Sequence, residues 1–508
     1  MLSKVFSAAL HGIDARIVTV ETDIAHGLHH FAIVGLPDKS VDESKDRVNA
    51  ALKNSGYDYP KKSNQKIVIN LAPANLKKEG SSYDLPIAVS YLLASGQLAA
   101  DAVRRVFVGE LSLDGHLRPV RGTLSIVAAA KAAGFAEVLV PRDNFHEAHI
   151  ISGITVVPLA TLTECVEYLL GRAQPETPPA PAQQEQPDRD THDLAHIKGQ
   201  QRAKRALVIA AAGGHNLLLF GPPGSGKTML ARALCALLPD LTEEEMIETT
   251  KIHSVAGELP QEFGAVSQRP FRSPHHSASH VALVGGGEKA HPGEVTLAHN
   301  GILFLDEFPE FSKTVIEALR QPLEDRRITV SRAHGTFVYP ANFILIATQN
   351  PCPCGYYQSQ HKECVCTLSA IVRYQKKISG PIADRIDMHV EVPQIRPEDM
   401  TTSEDKDTPS ESAIVKEAVC AARDIQRARS HKGPATLNAT LTPAELKKHC
   451  ALDASSTALL RSAMDKLGLS ARAYHKTIKI ARTIADLSNT ERIHESHIAE
   501  ALQYRPQR

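Results

Sequence analysis

Gly221-Pro222-Pro223-Gly224-Ser225-Gly226-Lys227-Thr228 sets glycines, a lysine and a hydroxyl at the spacing G-x-x-x-x-G-K-[ST]. The glycines let backbone N–H groups converge on phosphate oxygens, Lys227 reaches the β- and γ-phosphates of a nucleotide, and Thr228 ligates Mg²⁺. Flanking residues supply the context this chemistry needs, LLLF reading as a buried strand and MLARALCALL as a helix. About 80 residues on, ILFLDE is an apolar strand ending in two carboxylates, Asp306 to hold Mg²⁺ and Glu307 to polarise the attacking water. A third strand, FILIAT, runs into Gln349-Asn350-Pro351, and the Asn350 amide can hold the lytic water against the γ-phosphate. Arg385 and Arg472 are candidates to stabilise transition-state charge, chosen by their positions in GPIADRIDMHVEV and LSARAYHKTIKIARTIADL.

Two further groups offer chemistry. Cys352, Cys354, Cys364 and Cys366 form two C-x-C pairs, and four thiolates suit one tetrahedral ion, with Zn²⁺ the default where no redox signature is present. His361 could replace one thiol, and four free buried cysteines are the plain alternative. The run RRITVSRAHGTFVYP reads as two strands about a two-residue turn, with Arg326, Arg327, Arg332 and His334 able to meet phosphates. Arg269-Pro270-Phe271-Arg272-Ser273-Pro274-His275-His276 is a second basic stretch of the same kind, whose histidines could equally be structural.

The elements that must position these groups divide 508 residues into more than one core. A proline-rich polar stretch over 171–193 and an acidic one over 397–412 read as linkers. They set off an α/β module over 1–170, an ATPase core over 194–396 and a helical domain over 413–508. In the first module KIVINL and Val106 to Val108 read as strands, and Asp84 to Ala94 and Leu124 to Ala133 as helices. In the core, Leu217 to Phe220, Ile302 to Leu305 and Phe343 to Ala347 are apolar runs of the kind buried in a parallel sheet, with helices on both faces. After Ser412 the pattern is helical, with Val415, Val419, Ala422 and Ile425 on one face and a later helix from Ala471 to Leu487.

Lysine plus arginine equals aspartate plus glutamate at 57 each, so any nucleic-acid contact must be local. With no tryptophan and 5% aromatic residues there is little sign of a base-stacking platform, which favours backbone-directed, sequence-independent contact. Half of the eight cysteines sit within fifteen residues, unlike a disulfide framework, and no uncharged apolar run reaches membrane-spanning length. The expectation is a soluble, cytoplasmic protein.

From about Ile197 onward the motifs resemble the magnesium-chelatase branch of the AAA+ ATPases. The strings that carry this are HIKGQQRAKRALVIAAAGGHNLLLFGPPGSGKT, FRSPHHSASHVALVGGG, PGEVTLAHNGILFLDEFPEF, ATQNPCPCGYY and ISGPIADRIDMHVEV. Within that branch the N-terminal module and the cysteine cluster are similar to the bacterial competence family ComM, or YifB. The resemblance implies ATP and Mg²⁺ as cofactors and a ring, expected as a hexamer, in which Arg385 reaches the neighbouring subunit's nucleotide and Arg472 takes the sensor-2 position. It also implies a DNA helicase acting on single-stranded and branched DNA in branch migration during natural transformation and homologous recombination, with recombination proteins as partners. A chelatase-like or chaperone-like remodeller of a protein partner stays open, because the core motifs are shared.

Residues 1–170 resemble the Lon protease fold, with Ser82 at the nucleophile in Lys78-Glu79-Gly80-Ser81-Ser82-Tyr83-Asp84. The general-base position holds Ile126, which cannot take a proton, and Lys131 lies more than a helical turn away. The module is therefore expected to be a degenerate protease fold reused for binding or assembly.

Overall fold

The computed structural model describes residues 2–62, 64–179, 193–260, 263–287, 290–332, 335–359, 362–394, 410–429, 436–468 and 470–505. His334, His361 and most of both expected linkers lie outside them.

The N-terminal module is built on a seven-stranded mixed sheet in the order His30–Val34, Gln65–Ala72, Asp14–His26, Leu2–His11, Arg105–Phe107, Glu137–Pro141, Thr155–Leu159. Alternation along its strands sends Val5, Ala9, Val18 and Val20 to one face, under the helices Ser44–Asn54 and Asp84–Ala94. Ala8, Val106 and Val138 go to the other, under the helix Thr123–Ala132. The expected elements of this module appear within a residue or two of their bounds.

In the core, five parallel strands lie in the order Phe271–Arg272, Ile302–Leu305, Ile344–Gln349, Leu217–Phe220, Met388–Glu391. The period-2 rule again divides the strands. Leu217, Leu219, Ile302, Phe304, Ile344 and Ile346 enter one hydrophobic cluster, while Leu218, Leu303, Leu305, Leu345 and Ala347 enter another on the opposite face. Both faces are covered, which is why these strands read as unbroken apolar runs.

The first of those clusters also takes in the C-terminal helices. Val419 and Ala422 of the helix Glu411–Arg429 and Ile480, Ala481 and Ile484 of the helix Ala471–Leu487 are buried with Ala206, Ile209, Leu230 and Leu234. The helical domain thus shares a core with the sheet's own helices. Arg423, wholly buried, donates to the Ala211 carbonyl from Nε (2.9 Å) and Nη2 (2.7 Å), joining the two layers. No helix among the described residues is long and apolar enough to cross a membrane.

Candidate nucleotide site

The loop from the strand Leu217–Phe220 to the helix Lys227–Leu237 holds Gly224 and Gly226 at φ of +73° and +88°. Glycine takes this left-handed conformation without a Cβ penalty, and such turns make an anion-binding concavity at a helix N-terminus. Lys227 Nζ donates to the carbonyls of Gly221 (2.7 Å) and Pro222 (2.8 Å) and to Asn350 Oδ1 (3.3 Å). Burial lowers its pKa to about 8, against the pull of Asp306 and Glu307 in the other direction. Ser225 Oγ is buried in the loop without a hydrogen-bond partner.

Thr228 Oγ1 lies 3.5 Å from Asp306 Oδ2, so the two oxygens expected at Mg²⁺ face one another. Glu307 follows with φ of +50°, a conformation that costs a non-glycine residue roughly 1–2 kcal/mol. The turn is held by Thr348, which no sequence motif had singled out. Its hydroxyl donates to Asp306 Oδ1 (2.5 Å) and accepts from the Glu307 backbone N–H (2.8 Å). The signal was available, a hydroxyl two residues before Asn350 at the end of an apolar strand, but only the strand pairing brings it to Asp306. The structure therefore gathers Lys227, Thr228, Asp306, Glu307 and Asn350 at the C-terminal ends of three adjacent strands, a set able to hold a Mg-nucleotide and a water beside its terminal phosphate.

Arg385 and Arg472 are elsewhere. Both meet Glu324, Arg385 through Nη2 to Oε2 and Arg472 through Nη2 to Oε1 at 3.3 Å. They line a cavity of about 350 Å³ with Asn216, Arg326, Asp387 and Lys476. Asn216 and Asp387 precede their strands whereas the phosphate loop follows Phe220, so this cavity opens at the opposite edge of the sheet. Asp387 anchors it, accepting from the Asn216 N–H at 2.9 Å and pairing with Lys476 at 2.8 Å. Burial raises the Asp387 pKa, but Lys476 and His215 overcome that and hold it well below the ordinary carboxylate range.

The hairpin forms as expected, Arg327–Arg332 pairing antiparallel with Gly335–Pro340. Arg327 and Arg332 are exposed on it. Arg326 is a correction. It precedes the first strand in a left-handed conformation and donates to the Phe343 carbonyl at 2.7 Å, beneath the sheet and off the hairpin. The second basic stretch is also corrected, because its arginines are spent internally. Arg269 binds the carbonyls of Pro239 and Asn300 and Glu245, and Arg272 pairs with Glu294 (2.6 Å) and Glu258 (2.9 Å). Ser273 and His275 of that stretch are exposed, and the rings of His275 and the half-buried His276 lie 4.0 Å apart.

The hairpin also touches the N-terminal module, a contact the sequence did not signal. His11 and Phe337 rings lie 4.9 Å apart, and a cleft of about 550 Å³ is lined from the module by Ser82, Ile126 and Arg121 and from the core by Arg332, Phe337 and Tyr339. Ser82 and Ile126 do share this cleft. Lys77 there pairs with Glu79 at 2.7 Å, and Lys78 turns inward to the Pro73 carbonyl.

The four cysteines converge. Cys352 Sγ is 3.4 Å from Cys354 and 3.7 Å from Cys364, Cys354 and Cys364 are 3.6 Å apart, and the four sulfurs lie within 4.8 Å of one another. The Tyr356 N–H, with help from Cys352 and Cys366, draws the Cys354 thiol down to about 6.

A parallel sheet in this order, with a phosphate loop on one strand, paired carboxylates on a second and a polar amide ending the strand between them, defines a P-loop protein of the AAA+ class. Three profiles of the magnesium-chelatase subunit ChlI match the chain: an N-terminal one over residues 20–144, "Magnesium chelatase, subunit ChlI" over 193–400 and its C-terminal region over 409–505. The competence protein ComM of Haemophilus influenzae is 44% identical over 99% of this chain and 97% of its own length, and YifB of Escherichia coli K12 is equally similar. The 38 kDa magnesium-chelatase subunit of Rhodobacter capsulatus is 29% identical over 32% of this chain and 51% of its own. The chain belongs to the ComM/YifB family, within the magnesium-chelatase branch of AAA+ proteins.

Proposed function

We propose that this protein is a hexameric, ATP-dependent DNA translocase, a helicase that promotes branch migration when single-stranded DNA is integrated during natural transformation and homologous recombination. Lys227 and Thr228 bind the Mg-nucleotide with Asp306, Glu307 activates water, and Asn350 positions it. The observation that carries the ring is the remoteness of Arg385 and Arg472 from the chain's own phosphate loop. On the far edge of the sheet they have no nucleotide of their own to serve, so their work is on the neighbouring subunit's. DNA contact falls to Arg327 and Arg332 on the hairpin, and His334, outside the described residues, belongs to the same proposal by its place in the sequence. The name of the Haemophilus relative, a competence protein, supports a role in competence. The N-terminal module acts as a degenerate Lon-like platform against which the hairpin rests. The cysteine cluster holds Zn²⁺, and the site of action is cytoplasmic.

The test is turnover of ATP with and without single-stranded and branched DNA. DNA is expected to stimulate it, and Arg327→Ser with Arg332→Ser to remove the stimulation while nucleotide binding persists. Each lost phosphate contact lowers the slope of log affinity against log salt by roughly 0.7 to 0.9. Indifference of the wild-type ATPase to every DNA would point instead to a remodeller of a protein partner.

A further inference from the structure

The segment 351–367 contains no helix or strand among its described residues, yet it runs directly from Asn350 along the nucleotide loop. A loop of this length and irregularity carries an ordering cost of roughly 1–2 kcal/mol per residue and needs a staple. The sulfurs supply one. A tetrahedral zinc with Zn–S bonds of about 2.3 Å sets its sulfurs about 3.8 Å apart, close to the 3.4–3.7 Å measured among Cys352, Cys354 and Cys364. All four thiols are free, and the Tyr357 N–H points to Cys352 Sγ at 3.3 Å, the kind of outer hydrogen bond that orients a metal thiolate.

What the staple holds is the wall of the phosphate loop. Gly355, at φ of +85°, lies so close that a Cβ there would stand 2.5 Å from Pro223 Cγ and 2.6 Å from Cδ. Pro223 sits between Pro222, whose carbonyl receives Lys227, and Gly224, whose left-handed turn shapes the loop. From the other side, Gln375 Nε2 donates to the Pro351 carbonyl at 3.2 Å and Lys362 lies 4.5 Å from the centre of the Tyr356 ring.

We propose that the cysteine cluster is a metal-dependent latch on the phosphate loop. Zn²⁺ bound by Cys352, Cys354, Cys364 and Cys366 presses the Gly355 backbone against Pro223, so that metal occupancy sets nucleotide affinity. This rests on the cluster being a zinc site, and goes further in making that site part of the nucleotide pocket. The wall is rigid only while the metal holds it, and a loose wall lets the loop's carbonyls and N–H groups leave the phosphate-binding arrangement.

Zinc content and the dissociation constant of a fluorescent ATP analogue, measured on the full chain, separate the two layers. About one zinc per chain is expected. Stripping it with a chelator under reducing conditions should weaken nucleotide binding by roughly 2- to 100-fold, the range of direct couplings between touching groups, and zinc alone should restore it. Gly355→Ala should keep its zinc and still bind nucleotide several-fold more weakly, with the loss partly relieved by adding Pro223→Ala. Cys420→Ser, away from the cluster, should change neither quantity. Zinc-free protein with normal nucleotide affinity overturns the metal site itself. Zinc present, with affinity unmoved by stripping or by Gly355→Ala, leaves the site standing and overturns the latch. If stripped protein unfolds, the Gly355→Ala and double-variant comparison decides alone.

Discussion

Lys227 makes a quantitative prediction, because its ammonium is held in the protein at a pKa of about 8 where an exposed lysine stands at 10.5. Burial is the cause, and it costs the charged form roughly 3 kcal/mol before solvent screening and less after it. A bound triphosphate supplies the missing counter-charge and raises the pKa of the bound state well above that of the free protein. Nucleotide binding therefore takes up a proton wherever the free lysine has lost one. The sign follows: affinity is full below pH 8 and falls as pH rises through it. With a free pKa of 8 and a bound pKa above 10, the apparent dissociation constant scales as 1 + 10^(pH − 8), which gives about a 10-fold weakening from pH 7 to pH 9.

The assay is equilibrium binding of a non-hydrolysable Mg-ATP analogue at several pH values, with calorimetry in two buffers of different ionisation enthalpy to count protons. Near pH 8 about half a proton per nucleotide is expected. The neighbouring Tyr374 stays out of this window, because burial pushes it up to about 12. The terminal phosphate, titrating near 6, is already ionised. Lys227→Arg, whose charge is permanent, should flatten the profile whatever it does to affinity. Wild-type affinity that stays within about twofold across this range, with no proton uptake, would refute the account of Lys227 as a desolvated cation relieved by phosphate.

Two further outcomes bear on the far edge of the sheet. Lys227→Ala and Arg385→Ala chains should each be inactive alone, and mixed in equal amounts should recover about a quarter of wild-type turnover, since random assembly completes one interface in four. Failure of any mixture to recover activity would mean the arginine does not act across subunits. Asp387→Asn should lower unfolding free energy by about 3–5 kcal/mol in denaturant titrations, because it leaves Lys476 buried without its partner. In the wild type, since Asp387 is held below its unfolded pKa, this contribution is present above about pH 4 and is lost as the pH falls through its folded value.

The parts of the fold that sequence revealed are those whose physics is local. Leu217–Phe220 and Ile302–Leu305 appear with the bounds their apolar runs imply, and Ala471–Leu487 starts at its Ser470 cap, whose hydroxyl accepts from the Ala473 N–H. The candidate nucleotide residues were legible for the same reason, each following a strand that reads clearly or opening the helix after it. What was not legible depended on packing between distant segments. Arg326 and Arg327 look alike in sequence, and one left-handed residue sends the first beneath the sheet and leaves the second on the hairpin. Arg269 and Arg272 read as a basic surface because Glu245, Glu258 and Glu294, which neutralise them, come from other elements. Thr348 was marked only by its place two residues before Asn350, and the resting of Phe337 on His11 by nothing in the sequence, since each is a contact between elements that only the fold brings together.

Glu324 gives the far edge a consequence for timing in the proposed ring. It meets Arg385 and Arg472 together; its own side chain and that of Arg472 are about half open to solvent, which makes that pair weak and screened, while Arg385 is largely buried. In the proposed ring a γ-phosphate arriving from a neighbouring subunit would offer both guanidiniums a multiply charged partner. The exchange from carboxylate to phosphate would there part both arginines from Glu324. Because Arg385 follows the short helix Gly380–Ala383 and Arg472 opens the helix Ala471–Leu487, the same exchange engages the core and the helical domain at once. In such a ring, hydrolysis of that phosphate releases both together and returns them to Glu324. ATP turnover at one subunit would in this way be felt as a movement between core and helical domain in the next.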